Sequence, residues 1–141
     1  MKIFIDASLL IYLNVPMDQE EEELVYNLYK NLMRKELFTD ILVMDEVIYI
    51  SKKKYGISPK DTFEFFEQAV LPYVKILPVG EQEYTVLKKY VREYNLNPSD
   101  AIHLAVMSNN NINIIATEDK DFDKTHVKRI WIEDGLYENN D

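Results

Sequence analysis

Apolar residues fall along this chain in short solid runs and in three- and four-residue steps, and the two patterns alternate. Ile3, Phe4 and Ile5 form a continuous apolar run closed by Asp6, which predicts a short strand buried on both faces. Leu9 to Leu13 read as a brief helix, halted before Pro16. From about Gln19 to Lys35, Leu24, Leu28 and Leu32, joined by Val25, Tyr29 and Met33, recur at helical spacing. Ile41 to Val43 read either as a small strand or as an extended linker, and Asp45 as the cap of a helix that runs to about Tyr55 and stops at Gly56. Ser58-Pro59 is a cap and first-turn pair for a helix carrying Phe63, Phe66 and Val70. Val74 to Val79 predict a strand, Tyr84, Leu87, Val91 and Tyr94 a helix, and Asn97-Pro98 the start of another helix ending near Asn109. Strands at Ile112 to Thr117 and Lys128 to Ile132 complete the series. Alternation of this kind implies an α/β fold of three layers, α/β/α, around a central parallel sheet of four or five short strands.

Length and composition narrow the class. The 141 residues suit one domain, expected over 1–137 with a frayed tail at 138–141. With no Cys there is no disulfide framework, thiolate nucleophile or Cys-based zinc site. No run approaches the ~20 apolar residues that span a bilayer. Asp6 interrupts the apolar N-terminus and only Lys2 charges it positively, so neither a signal peptide nor a membrane is expected, and a cytoplasmic location is. The net charge of -9 argues against coating nucleic acid through bulk charge, and it admits a divalent cation or a basic protein partner. Five acids between Asp18 and Glu23 read as a solvated helix start.

Four other acidic features abut predicted strand ends or helix starts, where open α/β sheets bind ligands. Asp6 follows the first strand. Glu46, next to Asp45, opens the helix after Ile41 to Val43. Asp100 lies in the first turn after Pro98, and Asp119 and Asp121 follow the strand ending at Thr117. Singly, each has an ordinary explanation as a cap or turn residue. Brought together, ionised carboxylates ~4 Å apart repel by about 4 kcal/mol per pair at an effective dielectric of 20. Proton uptake or a cation relieves that repulsion, and an all-oxygen donor set selects Mg²⁺ or Mn²⁺.

The segments Phe4-Ile5-Asp6-Ala7-Ser8, Met44-Asp45-Glu46-Val47, Pro98-Ser99-Asp100-Ala101-Ile102-His103-Leu104-Ala105 and Ala116-Thr117-Glu118-Asp119-Lys120-Asp121-Phe122 occur in that order. Together they resemble the motifs of the PIN-domain family of metal-dependent ribonucleases, which includes VapC-type toxins, over about Lys2 to Ile132. The resemblance implies hydrolysis of RNA phosphodiester bonds with Mg²⁺ or Mn²⁺ by metal-activated water, leaving a 3′-hydroxyl and a 5′-phosphate. Asp6, Glu46, Asp100 and Asp119 match the family's acidic quartet, with Asp6, Asp100, Asp119 and the auxiliary Asp121 as metal ligands. Asp45 stays the alternative to Glu46 for the second acid. Ser8 and Thr117 match supporting hydroxyl positions. The same resemblance implies a homodimer and a small antitoxin that neutralises the enzyme. Family members that process RNA without an antitoxin, or that bind RNA or protein without catalysis, are the alternatives.

Other residues invite roles that simpler readings answer. His103 reads as a structural histidine rather than a ligand, and His126 as a lone loop residue. Lys53, seven residues after Glu46, is a candidate for an RNA phosphate, with solvation of a helix end as the plain alternative. Three glycines build no phosphate loop. A phosphoreceiver domain lacks its Asp at the end of Val74 to Val79, and a haloacid-dehalogenase-type phosphatase lacks a second Asp at position 8.

Overall fold

The computed structural model describes residues 1–134; the expected frayed tail at 138–141 lies outside the described residues. Five strands form one fully parallel sheet: β1 (Lys2–Ile5), β2 (Glu36–Asp40), β3 (Val74–Leu77), β4 (Ile114–Ala116) and β5 (Lys128–Ile130), in the order β3-β2-β1-β4-β5. Phe4 lies opposite Phe38 on one side and Ile115 on the other. The apolar run Ile3 to Ile5 is fully buried because helices cover the central strand on both faces.

The helices are α1 (Ala7–Asn14), α2 (Gln19–Leu32), α3 (Ile41–Tyr55), α4 (Pro59–Phe65), α5 (Glu81–Tyr94) and α6 (Pro98–Asn109). A π-helical turn at Phe66–Val70 extends α4, and short 3₁₀ turns follow β4 (Lys120–Lys124) and β5 (Ile132–Asp134). The acid-rich run opens α2 as expected, with the Asp18 side chain accepting the Glu21 N–H. Gly56 ends α3 in the left-handed region, at φ 72°. α6 is apolar nearly all round: Ala101, Leu104, Ala105, Val106 and Met107 are all buried.

One assignment moves. The strand sits before Ile41 to Val43, at Glu36–Asp40, and those three residues form the first turn of α3. Asp40, not Asp45, caps that helix, its Oδ1 accepting the Val43 N–H at 3.0 Å. The apolar triplet deceived because a short run without periodicity fits a buried strand and a buried helix turn equally. Three strands are shorter than their predicted spans: β3 ends at Leu77, β4 covers Ile114–Ala116 and β5 ends at Ile130.

This strand order places the site. From β1 the chain winds outward through β2 to β3, then returns past β1 to add β4 and β5. The switch falls between β1 and β4, and open α/β sheets bind ligands in the crevice beyond the carboxyl ends of the strands at such a point.

Candidate active site

Asp6 follows β1 directly and is itself the cap of α1. Its Oδ1 accepts the Ala7 N–H at 2.8 Å, and its Oδ2 accepts the Thr117 hydroxyl at 2.8 Å from the end of the neighbouring β4. The residue is only 6% exposed, and both of its carboxyl oxygens are satisfied by donors that follow the ends of two strands. Thr117 Oγ1 also accepts the Asp119 N–H at 3.1 Å and lies 3.4 Å from Ser8 Oγ, which in turn accepts the Glu118 N–H at 3.1 Å. The two hydroxyls thus lace α1 to the turn that carries Asp119. Asp119 caps the 3₁₀ turn, its Oδ1 accepting the Asp121 N–H at 2.9 Å.

Asp6, Glu46, Asp100 and Asp119 line one pocket of about 250 Å³, together with Ser8, Thr117, Ile11, Tyr12, Ile50, Lys54 and Tyr55. Four chain segments distant in sequence therefore present their carboxylates to a single cavity. Burial, reinforced by the charges of Asp6 and Asp119, pushes the Asp100 carboxyl up to about 7, against the opposing pull of His103. Glu46, at the rim, is raised by partial burial and by Asp6, with Asp119 and Asp45 adding to it and His103 opposing. The cluster is electrostatically uncomfortable with every acid ionised.

Asp121 is exposed and does not line the pocket; its backbone N–H serves Asp119 instead. Asp45 is exposed and does not line the pocket, leaving Glu46 as the pocket acid of α3. Lys53 also lies outside: its Nζ donates to the Tyr49 hydroxyl at 2.8 Å. Lys54 lines the pocket in its place, at the end of the four-residue series Glu46, Ile50, Lys54. The seven-residue step from Glu46 to Lys53 keeps to one side of the helix, but Glu46 stands at the edge of the buried stripe and the pocket lies across that edge. A pattern of four-residue steps was the available signal for Lys54.

His103 is buried, 1% exposed, and its Nδ1 lies 2.7 Å from Asp40 Oδ2. It does not line the pocket. His126 is not alone: its Nδ1 is 2.9 Å from the Tyr94 hydroxyl.

The donor set suits a hard divalent cation, being all carboxylate and hydroxyl oxygen with raised acids that a cation would restore to their ionised form. Among the described residues, no three acidic or imidazole groups already enclose an ion-sized position. Mg²⁺ keeps several waters, so it does not require a complete protein cage.

Beside this pocket runs a larger groove of about 560 Å³, sharing Tyr12 and Tyr55 with it. Its floor includes Met17, Leu24, Val25 and Trp131, and Glu21, Glu118 and Glu133 stand along it. Burial, together with the hydrogen bond that the Tyr12 hydroxyl donates to Glu118, raises the phenol well above its usual range.

Comparison with known proteins follows the same lines. No curated protein matches significantly. FitAcB from Neisseria gonorrhoeae superposes with a TM-score of 0.72 at 18% identity, covering 94% of this chain and 99% of that one. VapC20 of Mycobacterium tuberculosis, described as a sarcin-ricin loop cleaving toxin, gives 0.68 at 20% identity over 86% and 92% of the two chains. VapBC2 from Rickettsia felis, bound to a DNA fragment from its promoter, gives 0.67 at 14% identity over 93% and 98%. These likenesses establish the fold. The family profile described as PIN domain matches residues 3–128, from the first apolar run to the start of β5, and the chain belongs to that family.

Proposed function

We propose that this protein is a Mg²⁺- or Mn²⁺-dependent endoribonuclease and the toxin of a VapBC-type pair. The observation that carries the reading is the convergence of Asp6, Glu46, Asp100 and Asp119 on one pocket at the sheet's switch point. Asp6, Asp100 and Asp119 would hold the ion, with Glu46 beside them at the rim. A bound ion supplies acidified water and neutralises charge on a phosphate. Ser8 and Thr117 hold Asp6 and the Asp119 turn in register. Lys54 offers the pocket's cation to a phosphate flanking the scissile bond, and Tyr12 and Tyr55 wall the pocket from the groove. Asp121 acts on the ion only through the turn it shares with Asp119. The net charge of -9 then ceases to be an obstacle to RNA, since cations at the pocket offset repulsion where the backbone must approach.

The test is cleavage of single-stranded RNA with Mg²⁺, with Mn²⁺ and with EDTA, for the natural protein and for Asp6→Asn and Asp100→Asn. Metal-dependent cleavage lost in both variants is expected, with folding retained. Equal cleavage under all conditions would exclude the reading.

An antitoxin partner is supported by the adjoining groove, whose apolar floor and three glutamates suit a basic, amphipathic segment. Co-expression with the neighbouring small reading frame, followed by co-purification and loss of RNA cleavage, tests it. A homodimer is supported by Ile41, Phe63 and Leu71, exposed around an apolar hollow. Sedimentation at micromolar concentration decides that point. Among the described residues no helix is long and apolar enough to cross a membrane, and the cytoplasm is the compartment proposed.

A further inference from the structure

Asp40 has two jobs on one carboxylate. Oδ1 closes the first turn of α3 by accepting the Val43 N–H at 3.0 Å, and Oδ2 meets His103 Nδ1 at 2.7 Å. Ser or Thr would serve as a cap equally well, so the cap does not explain an ionisable residue that is 0% exposed. The second oxygen does, because it reaches from the end of β2 to α6. His103 follows Asp100 by one helical turn, and Glu46 follows Asp40 by six residues on α3. This buried bond therefore ties the helix that carries Glu46 to the helix that carries Asp100. The His103 ring also lies 5.6 Å from the Phe4 ring on the central strand, which restricts its tilt. Neither member lines the pocket, so neither is a substitute ligand.

We propose that Asp40 and His103 are positioning residues: their bond sets the separation of Glu46 and Asp100, and through it the pocket's capacity for a divalent cation. The inference rests on the nuclease reading of that pocket and adds to it two residues that touch neither metal nor RNA. Burial disfavours an imidazolium here, while the bond to Asp40 and the nearby charges of Asp6, Asp40 and Asp100 raise the His103 pKa on balance.

Three variants separate the tie from its neighbours. Asp40→Ser keeps the helix cap and loses the reach to His103. His103→Leu keeps an apolar side chain in the cavity and loses the donor. His103→Asn places an amide N–H₂ where Nδ1 stands and restores the donor without the charge. Mn²⁺ binding is read from the free-ion electron paramagnetic resonance signal, with thermal melts and RNA cleavage kinetics alongside. In Asp40→Ser and His103→Leu we expect Mn²⁺ affinity and kcat to fall about 10- to 100-fold with KM for RNA little changed, as for the partners that orient metal ligands. The variant combining Asp40→Ser with His103→Leu should lose no more than either single one, and His103→Asn should recover most of the loss. Unchanged or tighter Mn²⁺ binding in folded Asp40→Ser would overturn the inference; if His103→Leu does not fold, Asp40→Ser carries the test alone. A natural protein that neither binds Mn²⁺ nor cleaves RNA would remove the nuclease reading itself, a result distinct from variants that match a functional natural protein.

Discussion

Asp100 pays electrostatically for its place in the pocket. Its folded-state pKa of about 7 stands far above the ordinary value of about 3.9, so between those two pH values the folded chain holds a proton that the unfolded chain has released. Stability from this group is therefore greatest in acid and declines as pH rises toward 7. Asp100→Asn cannot ionise and escapes that decline. In EDTA its melting temperature should exceed that of the natural protein at pH 8 by roughly 2–4 °C, the shift that ~1 kcal/mol produces in a chain of this size. The gap should close near pH 4.5, and thermal melts across that range measure it. A lower melting temperature at both pH values would show that the carboxyl is stabilising rather than strained. Lys54 and Lys53 offer a second comparison at this scale. Lys54→Ala should weaken RNA binding and flatten its salt dependence by about one unit of slope, whereas Lys53→Ala should leave both nearly unchanged. Filter binding between low and moderate salt distinguishes them.

At the scale of elements, the chain announces most of itself where two local signals agree. β1, α2, α5 and α6 are legible because their apolar pattern is clear, helped at α2 by the acid-rich start from Asp18 and at α6 by Asn97-Pro98. Asp6, Asp100 and Asp119 were legible for a related reason, each standing where an apolar run or a helix start ends one periodicity and begins another. β2 was not: Glu36-Leu37-Phe38-Thr39-Asp40 carries only two apolar residues, and the stronger apolar triplet behind it belongs to the helix. Missing that boundary by one element also hid Asp40, since a buried acid gives no local signal until its partner 63 residues away is in place. The π-helical turn at Phe66–Val70 is likewise invisible locally, because it inserts one extra residue per bond into an otherwise helical pattern. Gly56 tests how much one boundary contributes. A Cβ there meets nothing within 4 Å, so Gly56→Ala isolates the cost of the left-handed backbone. We expect a loss of about 1–2 kcal/mol, read as a lower urea midpoint with unchanged slope.

Taken as a whole, the molecule concentrates like charge at its central crevice while carrying an excess of nine negative charges overall. Divalent cations that bind only the folded state should raise its stability by about 2.7 kcal/mol at a hundred times their dissociation constant. Calorimetry with Mn²⁺ against EDTA is expected to show that increase in the natural protein and a much smaller one in Asp6→Asn. Monovalent salt at equal ionic strength should reproduce only the part due to general screening.

The order of the strands has a consequence for the making of the protein. Asp6 precedes its hydroxyl donor Thr117 by 111 residues, and Thr117 and its neighbour Asp119 are among the last of the matched residues to be synthesised. Until β4 docks, β1 has one open side and the crevice has one wall. A nascent chain that stops short of β4 therefore lacks one wall of the crevice, and the acidic pocket is complete only once Thr117 and Asp119 are in place.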